Sequence, residues 1–389
     1  MSSLAIYNFP THIRFGPGAR HELIDVLRGQ SLSRPLFITD RGVAVLPWFR
    51  AFVTTVSQAF EVAVYSDLLG NPLTSQVDNG ADAARAHSAD CIIAVGGGAP
   101  VDVAKAVALM QHHPGHLFDY EDEKPDGRPV DQAMPYIIAL PTTSGTGSEV
   151  GRSSVISDDD THAKKIIFSP RMLPQTVLAD PELTLGLPAG VTAAVGFDAL
   201  THLIEAFLAK NVHPMCDGIA LEGLRLVARS LETAVACASA ADDVDPIGHL
   251  KARADMLNAS IMGAVAFQKG LGVNHSCAHA LSTVCDLHHG LANALMLEAS
   301  MTFNYRHVPE KFEAMAAAVG LASGADFIPW LVSLRKAVGL PDGLSAQGVD
   351  QACLKLLVEV AIHDACHPNN PVPVNEGDFV EIFERAFAS

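Results

Sequence analysis

Aromatic residues are scarce in this chain, at 6%, and charged residues make up only 18%, against 49% hydrophobic residues over 389 positions. Low charge with high apolar content excludes a disordered chain and supplies a sizeable core. Basic residues are the scarcer sign: 26 Lys and Arg face 43 Asp and Glu, a formal net charge of -17. A field of that sign repels phosphate backbones, so no nucleic-acid partner is expected. No run of about 18 uncharged apolar residues occurs, so no membrane partner is expected. Met1 to Arg20 carries Pro10, Pro17 and charges in place of an apolar signal core. The seven cysteines (Cys91, Cys216, Cys237, Cys277, Cys285, Cys353, Cys366) form no CxxC pair and no framework spacing. Such a scattered set reads as reduced thiols in a cytoplasmic protein.

Short β-branched runs alternate with helical stretches through the first half. Pro35 to Asp40 (PLFITD), Phe60 to Tyr65, Cys91 to Val95 (CIIAV), Pro135 to Leu140 (PYIIAL) and Thr176 to Ala179 (TVLA) read as strands. Gln76 to His87 and Val101 to Met110 read as helices between them. Strand and helix in alternation predict a parallel sheet with crossover helices. Beyond Pro188 the strand signal almost vanishes, and Ala194 to Ala209, Gly218 to Ala240 and Ile247 to Val265 predict long helices. With Pro181 and Pro188 punctuating the junction, the expected organisation is an α/β domain over 1–188 and an all-helical domain over 189–389.

Two turns in the first half have the composition of anion cradles. Gly96-Gly97-Gly98 follows CIIAV directly, and Pro100 opens the helix that contains Lys105. Glycines let backbone N–H groups approach an anion, and a helix N-terminus adds favourable partial charge. The motif is neither GxGxxG nor a P-loop, and a tight βα turn without a ligand is the plainer reading. Pro141-Thr-Thr-Ser-Gly-Thr-Gly-Ser-Glu149 also follows a strand and gathers hydroxyls beyond its carboxyl end, where ligands sit. Two such turns in one sheet point to a dinucleotide.

In the second half, Asp198 and His202 stand four apart in GFDALTHLIEAF and so share one helix face. His275 and His279 are spaced likewise in NHSCAHALS, and His288-His289 follow just before Gly290. Any one of these histidines alone reads as a hydrogen-bonded core residue. A carboxylate and several imidazoles converging from separate helices suit a divalent ion.

In order along the chain, GGGAPVDVAK, PTTSGTGSEV, DPELTLGLP, GFDALTHLIEA and HSCAHALSTVCDLHHGLANAL resemble the motifs of the iron-containing (group III) alcohol dehydrogenases. The likeness covers nearly the whole chain. It implies a dehydroquinate synthase-like fold, α/β plus all-α, with a Rossmann-like nucleotide-binding domain followed by a helical metal-binding domain. It implies four metal ligands, Asp198, His202, His275 and His289, with the 14-residue gap from His275 selecting His289 over His288. It also implies a proton-handling role for His279 beside the nicotinamide, and a homodimer or larger homo-oligomer. The expected cofactor set is Asp40, Gly96, Gly97, Gly98, Asp102, Thr142, Thr143, Thr146 and Lys164. Fe2+ is the favoured ion, and Zn2+ also suits one carboxylate and three imidazoles. Two departures from the family pattern stand out: the common GGGS reads GGGA at Ala99, and the frequent NPR reads Asn370-Pro371-Val372.

Asp40 ends the strand PLFITD, where similar family members place a residue near the adenosine ribose. A carboxylate there accepts from ribose hydroxyls and repels a 2′-phosphate, which favours NAD over NADP. A turn or helix-capping role is the plainer alternative for Asp40, and Arg41 beside it would accommodate the phosphate. The expected reaction is hydride transfer between NAD and a small primary alcohol or aldehyde whose oxygen sits on the metal. Arg152 and Lys269 are the cations expected at the substrate, with Phe267 and Cys366 lining its pocket, so an anionic group on the substrate is expected. Pairing of both cations with acidic surface neighbours or with the cofactor is the alternative. A metal-dependent lyase or cyclase of the same superfamily with recycled NAD stays open, as does a nucleotide-binding protein without catalysis.

Overall fold

The structure, a computed structural model, describes residues 9, 11–122, 124–161, 163–240 and 245–388. These residues fall into two compact units, one of residues 11–143 with Gly147–Thr184, the other of Phe9, Ser144–Thr146 and residues 185–388.

Eight strands lie in the first unit: β1 (His12–Phe15), β2 (Pro35–Ile38), β3 (Ala63–Tyr65), β4 (Cys91–Gly96), β5 (Tyr136–Pro141), β6 (Ser153–Ser157), β7 (Lys164–Phe168) and β8 (Thr176–Ala179). Six of them form a sheet in the order β1-β8-β5-β4-β2-β3, every pairing parallel. Helices α1 (Leu23–Gly29), α2 (Arg41–Ala44), α3 (Pro47–Ser57), α4 (Thr74–His87) and α5 (Gly98–Met110) connect the first five strands. The central strand β4 is buried at every position, which is why its sequence is a continuous apolar run without alternation. All five strands expected from the sequence are present: β8 with the expected bounds, β4 one residue longer, β5 shifted by one, and β2 and β3 shortened. Edge strand β1 and the antiparallel hairpin β6–β7 were not anticipated. HIRF is short and half polar, and KKIIF follows a charged turn, so neither carries a clear period.

Strand order reverses between β2 and β4: the chain runs outward from β2 to β3, then returns to place β4 on the other side of β2. Open α/β sheets bind ligands beyond the carboxyl ends of the strands at such a switch point. Asp40 and Gly96–Gly98 stand at those two ends.

The second unit holds α6 (Ala189–Leu208), α7 (Pro214–Ser239), α8 (Pro246–Ala266), α9 (Val273–Cys285), α10 (His289–Tyr305), α11 (Pro309–Ala318), α12 (Phe327–Ala337), α13 (Leu354–Ile362) and α14 (Glu376–Ala388). No strand occurs in it among the described residues. Pro214 and Pro246 each open a helix, capped by the side chains of His213 and Asp245. Leu200, Leu203, Ile204, Leu224, Val227, Leu231 and Met256 pack α6, α7 and α8 into one core. A second core joins α9, α10, α13 and α14 through Leu281, Leu295, Leu357, Phe379 and Phe383. α6 is long and apolar enough to cross a membrane by length and composition, yet 89% of its apolar stretch is buried inside the protein. It is the central core helix of this unit, and it carries Asp198, His202 and Glu205 on one face.

Candidate active site

Helical spacing puts Asp198, His202 and Glu205 at i, i+4 and i+7, the interval that repeats along one face. α9 brings His275 and His279, and the first turn of α10 brings His289 with Asn293 one turn later. The four donors of Asp198, His202, His275 and His289 lie within 4.8 Å of one another. From Asp198 Oδ1, His289 Nε2 is 3.4 Å away, His202 Nε2 3.8 Å and His275 Nε2 4.0 Å. Ligands around an ion at about 2.0–2.2 Å are themselves roughly 3.4 Å apart, so small rotations close this set on a cation. His202 Nδ1 is buried without a hydrogen-bond partner, a polar atom stranded beside the cluster.

Electrostatics suit the same role. Burial pushes the Asp198 carboxyl up, yet the imidazoles of His202, His289 and His275 and the Asn293 amide together hold it below the usual carboxylate value. Burial, reinforced by His202, keeps the His275 imidazole well below its ordinary value and therefore neutral, as a metal ligand must be.

Gly290 explains how His289 gets close enough. A Cβ at this position would sit 2.5 Å from the carbonyl oxygen of Ala194, so only glycine lets the start of α10 lie against α6.

Two partners of the cluster were not foreseen. Glu205 Oε2 accepts from His275 Nδ1 at 2.6 Å, while its carboxylate also accepts the backbone N–H groups of Asn274 at 2.6 Å and His275 at 3.2 Å. It thus caps the N-terminus of α9, whose own cap residue Gly272 offers no side chain. Asn293 Nδ2 donates to Asp198 Oδ1 at 2.8 Å and lies 3.2 Å from His289 Nε2. The i+7 position in DALTHLIE and the i+4 position in HGLAN were the signals available for them.

His279 stacks on His289 with ring centroids 5.2 Å apart, and its Nδ1 meets Asp364 Oδ2 at 2.7 Å. Burial raises the Asp364 carboxyl, but the bond and charge of His279, with Cys366 N–H and Ser276 Oγ, bring it well below the usual range. Phe267 lies against His202, ring to ring at 5.1 Å. Cys366 donates its backbone N–H to Asp364 at 2.9 Å, so it sits beside the His279 pair.

Lys269 corrects the expectation placed on it. Its side chain is 1% exposed, and its ammonium is committed to Asp217 and to the Phe207 carbonyl at 2.9 Å. With Lys311, which also donates to Phe207 O, it terminates α6. A buried ammonium with both partners satisfied is not available to an anion. Arg152 differs: its guanidinium rests over the Phe168 ring at 5.3 Å, and no carboxylate pairs with it among the described residues.

In the α/β unit, Gly96 and Gly97 turn the chain from β4 into α5. Gly96 has φ +154°, and a Cβ there would lie 2.5 Å from Pro100 Cγ. Gly97 caps α5 without a side-chain hydrogen bond, and a Cβ on it would press on Thr143 Oγ1 at 3.0 Å. Thr142 N donates to Gly96 O at 2.9 Å, so the two expected turns are tied together. Thr146 lies in the second turn and Lys164 opens β7. Asp102 departs from the expected cofactor contact. Its carboxylate accepts from Ser148 Oγ, from Val155 N–H at 3.1 Å and from Lys105 at 3.1 Å, which makes it a brace beneath the turn. Lys105, fully buried, adds bonds to Ser148 O at 3.1 Å and Ser148 Oγ at 2.6 Å. Asp40 Oδ1 caps α2 by accepting Val43 N–H at 2.8 Å, the plainer role considered for it. Arg41 pairs with Asp67, its Nε at 2.9 Å.

Comparison with known proteins gives a consistent answer. Residues 10–181 match the family described as iron-containing alcohol dehydrogenase. Residues 192–387 match the C-terminal part of the Fe-containing alcohol dehydrogenase family. The chain is 37% identical to a 4-hydroxybutyrate dehydrogenase from Cupriavidus necator, over 98% of this chain and 100% of the relative. Its fold is similar to that of a crystallised 1,3-propanediol oxidoreductase, with a TM-score of 0.91 at 32% identity, over 98% of this chain and 100% of that one. It is also similar to a sulfoacetaldehyde reductase from Bifidobacterium kashiwanohense solved in complex with NAD+, with a TM-score of 0.89 at 28% identity, over 100% of both chains. The lyase or cyclase reading gains no support from these relatives.

Proposed function

The chain belongs to the iron-containing alcohol dehydrogenase family, as a metal-dependent alcohol dehydrogenase or aldehyde reductase, and from that premise we propose that it interconverts short ω-hydroxy acids and their aldehydes with NAD. The convergence of Asp198, His202, His275 and His289 carries the metal assignment, with Fe2+ favoured and Zn2+ also suited. When bound, the ion polarises the substrate oxygen as a Lewis acid, and the nicotinamide accepts or returns the hydride.

This chain's own residues do the rest. Glu205 holds the His275 Nδ1 proton, which turns the Nε2 lone pair toward the other donors. The Asp364 carboxylate holds the proton on His279 Nδ1 and leaves Nε2 free to take the proton that the alcohol gives up. Gly96, Gly97 and Gly98, at the N-terminus of α5, would cradle the pyrophosphate with backbone N–H groups, and Thr142, Thr143, Thr146 and Lys164 are assigned to the same cofactor. The Asp40 carboxylate would accept from the ribose hydroxyls, and Arg41, held by Asp67, is not offered to a 2′-phosphate, which supports NAD over NADP. The residues 1–188 and 189–389 divide these tasks, nucleotide in the first part and metal in the second.

Two relatives named for substrates with an anionic end support the substrate class. Arg152 is the cation we assign to that end. Phe267 and Cys366 are assigned to the pocket wall. We assign the chain to the cytoplasm as a homodimer or larger, which sedimentation would check. The deciding experiment is an anaerobic purification with elemental analysis, followed by an NADH-linked comparison of 4-hydroxybutyrate with 1-butanol. A clear preference for the acid, lost in Arg152→Gln, is expected, and equal efficiency overturns the anionic assignment. His275→Ala should lose both metal and turnover; turnover in a metal-free His275→Ala enzyme sinks the metal assignment.

A further inference from the structure

Outside the four-donor cluster, His279, Asp364 and Cys366 bring an imidazole nitrogen, a carboxylate oxygen and a thiol sulfur within 4.8 Å of one another. We propose that this trio is a second divalent-cation site, selective for a borderline or soft ion such as Zn2+, whose occupation takes His279 out of use.

The donors come from α9 and from the loop after α13, and both elements are pinned. Ser276 Oγ donates to Asp364 Oδ1 at 2.7 Å, and Cys366 N–H donates to the same oxygen at 2.9 Å. His367 N–H in turn donates to Ser276 Oγ at 2.9 Å. These bonds leave Asp364 Oδ2 facing His279 Nδ1 at 2.7 Å, with the sulfur alongside. Bonds that fix a carboxylate from behind are the feature that holds a ligand set in register. His279 is 32% exposed, so an ion has a route in and an open coordination position. Nitrogen, oxygen and sulfur donors with one open position match zinc chemistry, whereas Mg2+ and Ca2+ take oxygen sets.

Protons balance simply. The thiol proton leaves to buffer as sulfur binds the ion. With Nδ1 on the ion, the imidazole proton sits on Nε2, so the ring no longer has a lone pair to accept another. That last consequence rests on the proton-handling role proposed for His279; the site itself does not.

The test is an anaerobic titration with Co2+ of holoenzyme already carrying one metal equivalent. The first donor set contains no sulfur, so near-ultraviolet sulfur-to-cobalt charge transfer reports the second site alone. The expected result is a second equivalent per chain accompanied by that band. Cys366→Ser should lose the band and the second equivalent while keeping the first, which also shows that the variant folds. Excess Zn2+ should then depress wild-type turnover reversibly, with chelator restoring it. Saturation at one equivalent without the band overturns the proposal, and so does a band that persists in Cys366→Ser.

Discussion

Glu205 stands two helical turns beyond Asp198 on the same face of α6, fully buried, and it touches α9 in two ways. Burial pushes its carboxyl up to about 7, against the pull of the Asn274, Gly272 and His275 backbone N–H groups. A buried carboxylate at a helix N-terminus is costly unless those donors are satisfied, so capping and ligand orientation are one interaction. Replacing it by Gln keeps the shape and removes the charge. Glu205→Gln should bind metal about 10–100-fold more weakly, by competition with a chromogenic chelator. Undiminished affinity would mean that the His275 tautomer is set elsewhere. Lys269 shows the opposite lesson at this scale. Its charge invited a substrate role in the sequence, but its partner Asp217 lies 52 positions away on α7, and no local pattern reveals such a pair.

Among the elements, legibility followed periodicity. β4 was plain because it is buried along its length and its apolar run is unbroken, and α6 because a long, mostly buried apolar stretch carries its few polar residues at helical spacing. β1, with His12 and Arg14 in four residues, offers no run to detect, and its position is set by pairing with β8 far along the chain. The i, i+4 spacing that puts Asp198 and His202 on one face survives in one dimension, but the choice of His275 and His289 as their partners came from the family resemblance, and Asn293 needed the packing of α10 on α6 to acquire meaning. That packing is itself testable. Ala is the better helix former, so Gly290→Ala would stabilise α10 by propensity alone. The contact with Ala194 O instead predicts a loss of about 1–3 kcal/mol in chemical denaturation, together with weaker metal binding as His289 is displaced. A stabilised variant with normal metal content refutes the close-approach argument.

Glu149, in the 3-10 turn Ser148–Val150 at the end of the second glycine-rich segment, sets a pH response for the α/β unit. Its carboxyl is fully buried, Oε1 has no partner, and burial raises its pKa from 4.5 to about 7 despite nearby Lys105. The unfolded chain releases this proton near pH 4.5, the folded one only near 7, so the folded state holds more protons between those values. Stability therefore falls as pH rises through that window, and the whole penalty is present above it. Glu149→Gln should be more stable than the parent at pH 8 by up to about 3 kcal/mol, and no more stable at pH 4.5. Denaturation at the two pH values distinguishes this from a uniform packing effect.

For the whole molecule, the consequence of one carboxylate and three imidazoles in a buried cluster is that metal and stability are linked. An ion that binds only the folded state, present at 100 times its dissociation constant, stabilises that state by about 2.7 kcal/mol. In a helical unit of this size, that corresponds to roughly 5–10 °C in Tm. The location of the effect matters more than its size. The donors sit on α6, α9 and α10, and the strands of the six-stranded sheet contribute none. Chelation under anaerobic conditions should therefore speed backbone hydrogen exchange in α6, α9 and the first turns of α10 while β4 and β5 keep their protection. Re-addition of Fe2+ or Zn2+ should restore it. Uniform loss of protection across the sheet as well would contradict a metal centre confined to the helical unit, and no change anywhere would contradict the centre itself.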